Sequence, residues 1–180
     1  MSSKYALLSL GRAIAYLLPP IAFLFIVVTD LNLSGRRHYF YDFHSTSPVV
    51  SELFPSQRLK GKKDGQQELL QSPVYFTVRY PHRYDTATVR IASDMPGSQI
   101  QVGLELQGPP GSWNYELTDV VDGLATFDLS AAQVTSGRLR FIITADDAMK
   151  PVFFDSIDVV LVRQPISLGF IANKIMNSDL

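Results

Sequence analysis

The chain has 180 residues, of which 46% are hydrophobic and 18% are charged, and this balance excludes a disordered protein and a coiled coil. It contains no cysteine, which excludes disulfide bonds, cysteine-ligated metal sites and thiol nucleophiles. The formal net charge is -1, from 16 basic and 17 acidic side chains, so we expect no nucleic-acid partner.

The first element in chain order is an apolar stretch near the N-terminus. Residues 13–29 carry no charged side chain, and an extension back to residue 5 makes a helix long enough to cross a hydrocarbon core of about 30 Å. Membrane helices tolerate the kink that Pro19 and Pro20 would produce. The sequence therefore predicts a single-pass membrane anchor over residues 1–30, which contacts the bilayer through residues 5–29. A cleaved signal peptide and a buried helix are the alternatives.

The orientation of this anchor depends on the charges that flank it. Lys4 and Arg12 precede the apolar stretch, and Arg36 and Arg37 follow it. The positive-inside comparison is therefore close to a tie. Because the tail before the anchor is short, we expect the large C-terminal domain to be extracytoplasmic.

A mixed segment, residues 31–72, connects the anchor to the rest of the chain. Within it, residues 38–43 alternate aromatic and polar side chains, which predicts an edge strand that joins the following domain. Ser47 and Pro48 are typical of the start of a short helix. Residues 59–71 are polar and interrupted by glycine, which predicts a mobile loop. We expect this segment to be a juxtamembrane connector with a short helix and a loop.

From residue 73 onward the hydrophobic pattern has a period of two. Alternation of this kind buries one face of a strand and exposes the other. Turn residues separate the runs, and no helical pattern lies between them. The sequence predicts an all-β protein with an antiparallel β-sandwich over residues 73–164, of jelly-roll rather than immunoglobulin-like topology. The tail, residues 165–180, would cover an edge or meet the membrane. The alternating runs are residues 74–80, 86–92, 99–107, 113–117, 125–129, 139–143 and 152–163, the last with a bend or bulge near Asp155 and Ser156.

Motifs for catalysis and for metal binding are missing from the sequence. The three histidines lack metal-binding spacing, and there is no nucleophile elbow and no phosphate-binding loop. Four aspartates between residues 146 and 158 leave a structural calcium ion open as a minor alternative, but they do not have the spacing of an EF-hand loop. We therefore expect no metal, no cofactor and no enzymatic activity. Glu105 and Glu116 keep a glycosidase open as a minor alternative, because glycoside hydrolysis uses two carboxylates.

The outward-pointing side chains of the predicted strands are the candidate binding residues. A face rich in arginine, glutamine and tyrosine suits a hydroxyl-rich ligand, since it offers many hydrogen bonds. Trp113 either caps the core or stacks on a sugar ring or a partner. The predicted ligand-binding set is Tyr75, Arg79, Arg90, Gln101, Glu105, Trp113 and Arg140.

Three segments resemble a known group of domains. The sequences FDLS (residues 127–130), RLRFIITADD (138–147) and VFFDSIDVVLV (152–162) are similar to the closing strands of galactose-binding-like and carbohydrate-binding jelly rolls. The resemblance implies a binding domain, often for sugars, that uses an aromatic-bearing sheet face or the loops at one end. Together with the anchor, it predicts a membrane-anchored, non-enzymatic module that binds a glycan or another envelope component. The alternative is an accessory subunit that docks onto a membrane-protein partner.

Overall fold

The computed structural model describes residues 16–23, 35–63, 65–81, 84–94, 99–109, 112–145 and 152–163. The described residues from Gly35 to Arg163 belong to one compact unit. Before that unit, residues 16–23 form an α-helical segment with exposed side chains. Among the described residues, no helix has both the length and the apolar character needed to cross a membrane. Most of the predicted anchor and the predicted C-terminal tail lie outside the described residues.

Eleven strands in the described part of the chain form two sheets, and every pairing between them is antiparallel. Sheet A has the order β2-β3-β11-β5-β8, with β1 also paired to β11, and sheet B has the order β4-β10-β6-β7, with β9 also paired to β10. The predicted all-β protein with two antiparallel sheets is therefore confirmed. The strands are β1 (Arg36–Tyr41), β2 (Leu59–Lys63), β3 (Gln66–Leu69), β4 (Val74–Arg79), β5 (Thr86–Ser93), β6 (Ile100–Glu105), β7 (Tyr115–Asp119), β8 (Leu124–Asp128), β9 (Val134–Thr135), β10 (Arg138–Ala145) and β11 (Val152–Val162).

The core lies between the two sheets and follows from the alternation in the sequence. Phe76 in β4 and Phe141 in β10 are fully buried, and their rings stack at a centroid distance of 5.2 Å. Phe141 also contacts Phe127 of β8 in the other sheet, at 5.8 Å. The two sheets therefore share one core, because the apolar faces of their strands point at each other.

Strand β11 is the longest strand and organises sheet A. One side of β11 pairs with β5. The other side pairs with β3 in its first half and with β1 in its second half. The register with β5 shifts between Phe154 and Ser156. This irregularity confirms the predicted bend near Asp155, since a bulge changes which face the following side chains occupy.

The helix predicted at Ser47 and Pro48 is wrong. The chain instead runs beside β4, where Val50 forms a bridge with Val78 and Phe54 forms one with Tyr75. The capping chemistry of Ser47 is nevertheless used, because its hydroxyl accepts hydrogen bonds from two following backbone amides at 3.3 and 3.2 Å. The open edge of β4 offers backbone hydrogen-bond partners, and these outweigh a weak local helix preference. A short 3-10 helix, Ser56–Arg58, follows.

The predicted loop over residues 59–71 is also wrong, because most of it forms the β2–β3 hairpin. Gly65 turns the chain with φ +81, and a Cβ atom there would overlap the imidazole ring of His44. Gln67 is buried, and its amide donates a hydrogen bond to the carbonyl of Lys60. Strand β3 pairs with the edge of β11. This pairing stabilises a segment whose polar sequence shows no strand pattern. The segment that we expected to be a connector thus contributes three strands to sheet A, and the compact unit begins at Gly35 rather than at residue 73.

Candidate functional site

The outer face of sheet B has an apolar floor. The registers place Tyr75 opposite Ile142, Ile142 opposite Gly103, and Gly103 opposite Leu117. A Cβ atom on Gly103 would lie 2.5 Å from Cγ2 of Ile142 and 2.7 Å from Cδ2 of Leu117, so both side chains close over the glycine. Ile142 is consequently only 3% exposed although it points away from the core. This row of closely packed residues forms the apolar floor.

A charged pair lies beside this floor, in the next row of the sheet. Glu105 is opposite Tyr115, and Nη1 of Arg140 donates a hydrogen bond to Oε1 of Glu105 at 3.4 Å. The guanidinium of Arg140 also acts on the neighbouring hydroxyl of Tyr115, in the direction that lowers the pKa of that phenol. The Arg140 and Glu105 side chains are 40% and 21% exposed, so solvent partly screens the pair.

Aromatic rings form the wall of the site. The Tyr75 ring stacks on Phe54 at 5.5 Å and meets Trp113 edge-on at 5.8 Å. Trp113 in turn lies 5.7 Å from the ring of Tyr115 and is 71% exposed. These rings and the charged pair enclose a pocket of about 430 Å³. The residues of this aromatic pocket are Phe54, Tyr75, Glu105, Ser112, Trp113, Tyr115 and Arg140.

The two tyrosines of the pocket are held in their neutral form. Burial raises the pKa of Tyr75, although the neighbouring guanidinium of Arg58 acts in the opposite direction. Burial, reinforced by the charge of Glu105, raises the pKa of Tyr115, and the guanidinium of Arg140 opposes this shift. Both phenols therefore stay protonated well above neutral pH and can donate a hydrogen bond to a ligand.

The chemistry available in the pocket favours binding. Aromatic faces pack on apolar ring surfaces, while phenol, guanidinium and carboxylate groups bond hydroxyls. Glu105 is the one carboxylate in the pocket lining, and Glu116 lies opposite Leu104 and so points to the other face of the sheet. In the ranges that the structure describes, no group of three histidine or acidic side chains is placed to hold a metal ion.

The structure brings four of the seven predicted ligand-binding residues together, since Tyr75, Glu105, Trp113 and Arg140 all line the pocket. The interpretation of Trp113 as a cap on the core is wrong, because its side chain is mostly exposed. The alternative, in which Trp113 stacks on a sugar ring or a partner, stays a prediction.

The other three predicted residues lie elsewhere. Gln101 is on the same face, where its amide donates a hydrogen bond to Asp119 at 2.8 Å. Arg79 is exposed at the far end of β4. Arg90 is in β5 of sheet A, opposite Asp158 and away from the pocket. Alternation shows that a side chain points outward, but it does not show which sheet carries the strand.

Three pocket residues were missed by the sequence analysis: Phe54, Ser112 and Tyr115. Phe54 belongs to the segment that follows the predicted helix start at Ser47 and Pro48, so its pairing with Tyr75 could not be predicted. Tyr115 follows Trp113 at a spacing of two, and this spacing was the available signal that both rings share one face.

The comparisons with known proteins add little to this site. No family model and no curated protein matches the chain. Among solved structures, it is similar to a family two carbohydrate esterase from Cellvibrio japonicus, with 12% identity and a TM-score of 0.37. The likeness covers 73% of this chain and 36% of the esterase chain, so this chain spans about a third of that protein. A likeness of this size says nothing about the site.

Proposed function

We propose that the protein is a membrane-anchored, non-enzymatic β-sandwich module of jelly-roll type, which binds a glycan outside the cytoplasm. The binding site in this proposal is the aromatic pocket on the outer face of sheet B. The observation that carries the proposal is the convergence of four aromatic rings on one pocket beside the Arg140–Glu105 pair.

The exposure of Trp113 supports a ligand that stacks on it. The Trp113 side chain is 71% exposed, so much of its apolar surface contacts water. A ligand that stacks on the ring removes this surface from water, which favours binding. The neighbouring neutral phenols of Tyr75 and Tyr115 then bond hydroxyl groups at the edge of the ligand. A sugar ring, with an apolar face and polar edges, matches this combination.

The helical segment before the sandwich supports the anchor in this proposal. Its side chains include Leu17, Ile21 and Phe23, which are 57%, 61% and 68% exposed. A helix with this much exposed apolar surface is suited to contact with lipid. Extraction of membranes with alkaline carbonate should leave the full chain in the pellet, and a variant lacking residues 5–29 should appear in the supernatant. A full chain that is extracted like the deletion variant would contradict the anchor.

The glycan site is tested by binding to an oligosaccharide array with the full chain. The detergent should be a polyoxyethylene ether, because a detergent with a sugar headgroup would compete for the pocket. Trp113→Ala and Tyr75→Ala should each weaken binding at least about tenfold, as expected for aromatic residues that dominate an interface. Phe40→Ala is the matched control, since Phe40 is an aromatic side chain, 57% exposed, on sheet A. A blank array, or equal losses in all three variants, would contradict the proposal.

A second function, as an accessory subunit that docks onto a membrane protein, is favoured by a different surface. Val121 and Leu124 pair across the turn between β7 and β8 and are 67% and 43% exposed. Adjacent apolar side chains at a sheet edge are typical of a protein contact. A protein that co-purifies with the full chain and is lost from a Val121→Ser, Leu124→Ser variant, together with a blank glycan array, would favour this function.

A further inference from the structure

Two arginines lie directly opposite each other on the outer face of sheet B. The register pairs Arg138 of β10 with Arg79 of β4, and Arg140 follows two residues later on the same face of β10. Like charges directly opposite each other destabilise an antiparallel pair of strands. The folded protein therefore accommodates a repulsion at the border of the aromatic pocket.

Few acidic side chains are near enough to relieve this repulsion. On this face, the carboxylate of Glu105 is paired with Arg140. Asp119, in the edge strand β7, accepts a hydrogen bond from Gln101, and β10 and β6 lie between β4 and β7. Across the ranges that the structure describes, neither Arg79 nor Arg138 forms an ion pair. The border formed by Arg79, Arg138 and Arg140, the arginine row, thus carries an excess of positive charge.

The structure also holds one of these guanidinium groups in position. Nη1 of Arg138 donates a hydrogen bond to Oγ1 of Thr77 at 3.3 Å, and Nη2 donates one to the carbonyl of Pro48 at 3.0 Å. A guanidinium fixed in this way loses less conformational entropy when a ligand binds. The fixed geometry and the uncompensated charge both point to an anionic ligand.

We infer that the glycan bound by the aromatic pocket is acidic and carries carboxylate groups, as in a uronic acid polysaccharide. One sugar ring stacks in the pocket, and the chain of sugars continues from Arg140 across Arg138 and Arg79. Residues two apart on a strand are about 7 Å apart, so neighbouring guanidinium groups reach carboxylates on different sugars of one chain. Carboxylates match the planar fork of a guanidinium, and their charge removes the repulsion between the arginines. This inference rests on the proposed glycan-binding function.

The sole tryptophan of the chain gives a direct measurement, because Trp113 lies in the pocket. The full chain, in a polyoxyethylene ether detergent, is titrated with hexamers of galacturonate, mannuronate and glucuronate while its intrinsic fluorescence is recorded. Each acidic hexamer is paired with its methyl ester, which keeps the sugar and removes the charge. We expect at least one acidic hexamer to bind at least about tenfold more tightly than its ester at low salt, with a smaller difference at high salt.

Substitutions in the arginine row test its contribution to binding separately from the contribution of the aromatic pocket. Arg79→Gln and Arg138→Gln should each weaken binding of the acidic hexamer several-fold and leave binding of the ester unchanged. Arg90→Gln is the matched control, because Arg90 is on sheet A and its substitution removes the same charge. If Arg138→Gln fails to fold, the variant of the exposed Arg79 gives the same measurement.

The failure of this inference is distinct from the failure of the proposed function. Equal binding of the acidic hexamers and their esters, with a loss in Trp113→Ala, would overturn the acidic ligand and keep the glycan site. Equal or tighter binding of polyglutamate, or of phosphatidylglycerol vesicles, at the arginine row would also overturn it, in favour of an acidic peptide or a lipid surface. No binding of any sugar by fluorescence or calorimetry would overturn both proposals.

Discussion

The outer faces of sheets A and B differ although both come from the same alternating pattern. On sheet A, the face bears small hydroxyl side chains such as Thr88 and Thr126, whose oxygens lie 3.3 Å apart, and a hydrogen bond of 2.5 Å between His38 and Asp158. These polar groups pair with each other across the strands. On sheet B, Trp113 stays exposed and the arginine row has excess charge. The proposed binding face on sheet B therefore differs from sheet A by its exposed ring and its excess charge, rather than by its polarity.

The largest effect on the free energy of unfolding should come from a substitution in the core, because the core supports both faces. Phe141→Ala removes a fully buried ring that contacts Phe76 and Phe127, so we expect a loss of about 3–5 kcal/mol in the free energy of unfolding. Urea denaturation measures this loss. Phe40→Ala, in which an exposed ring is removed, should change stability by less than about 1 kcal/mol. Similar losses in the two variants would contradict the assignment of one shared core.

The next effect concerns the floor of the aromatic pocket. Gly103→Ala puts a methyl group against Ile142 and Leu117, and we expect a destabilisation of about 1–3 kcal/mol together with a shift in Trp113 fluorescence. Gly61→Ala is the control on sheet A, since a Cβ atom there meets nothing within 4 Å. If both alanine variants were equally stable, the close packing over Gly103 would not be present.

A smaller effect on stability separates the two side-chain pairs, Glu105 with Arg140 on sheet B and Asp158 with His38 on sheet A. Glu105→Gln weakens the interaction with Arg140 and should cost about 1 kcal/mol of stability. Asp158→Asn acts on the more exposed pair with His38 and should cost less than about 0.5 kcal/mol. A double-mutant cycle for each pair measures the two coupling energies. A larger coupling for His38 and Asp158 would reverse the predicted order.

The smallest effect is a dependence of stability on alkaline pH. The pKa values of Tyr75 and Tyr115 are raised in the folded protein, so the unfolded chain loses these protons first. The resulting stability is fully present below the unfolded pKa of about 10 and is lost as the pH rises through the folded pKa values. A Tyr75→Phe, Tyr115→Phe variant should show a flatter decline of unfolding free energy above about pH 10. An unchanged decline would mean that burial does not perturb these phenols.

Much of the architecture was predictable because the alternation is a local property of the chain. In β4, β5 and β10 the apolar positions point inward as expected, and the bulge near Asp155 is where the pattern loses its phase. The errors fell at the edges of the sheets. Residues 49–54 and the β2–β3 hairpin gain their structure from open edges of β4 and β11, and sequence periodicity carries no information about such edges.

The candidate site was predictable in part for the same reason. The alternation identified Tyr75, Glu105 and Arg140 as outward-pointing, and the structure places them together. It identified Arg90 as outward-pointing too, on the other sheet. The contact between Phe54 and Tyr75 depends on the path of a segment that has no repeating pattern.

The sequence by itself determined which positions of β4, β5 and β10 face the core, because side chains of a strand alternate whatever its neighbours are. It also determined the absence of cysteine chemistry and the apolar character of residues 13–29. The tertiary structure alone decided which strands are neighbours, and therefore that Arg140 meets Glu105 and Arg138 meets Arg79. These contacts join residues far apart in the chain, and only backbone hydrogen bonding between distant strands and burial of the shared core bring them together.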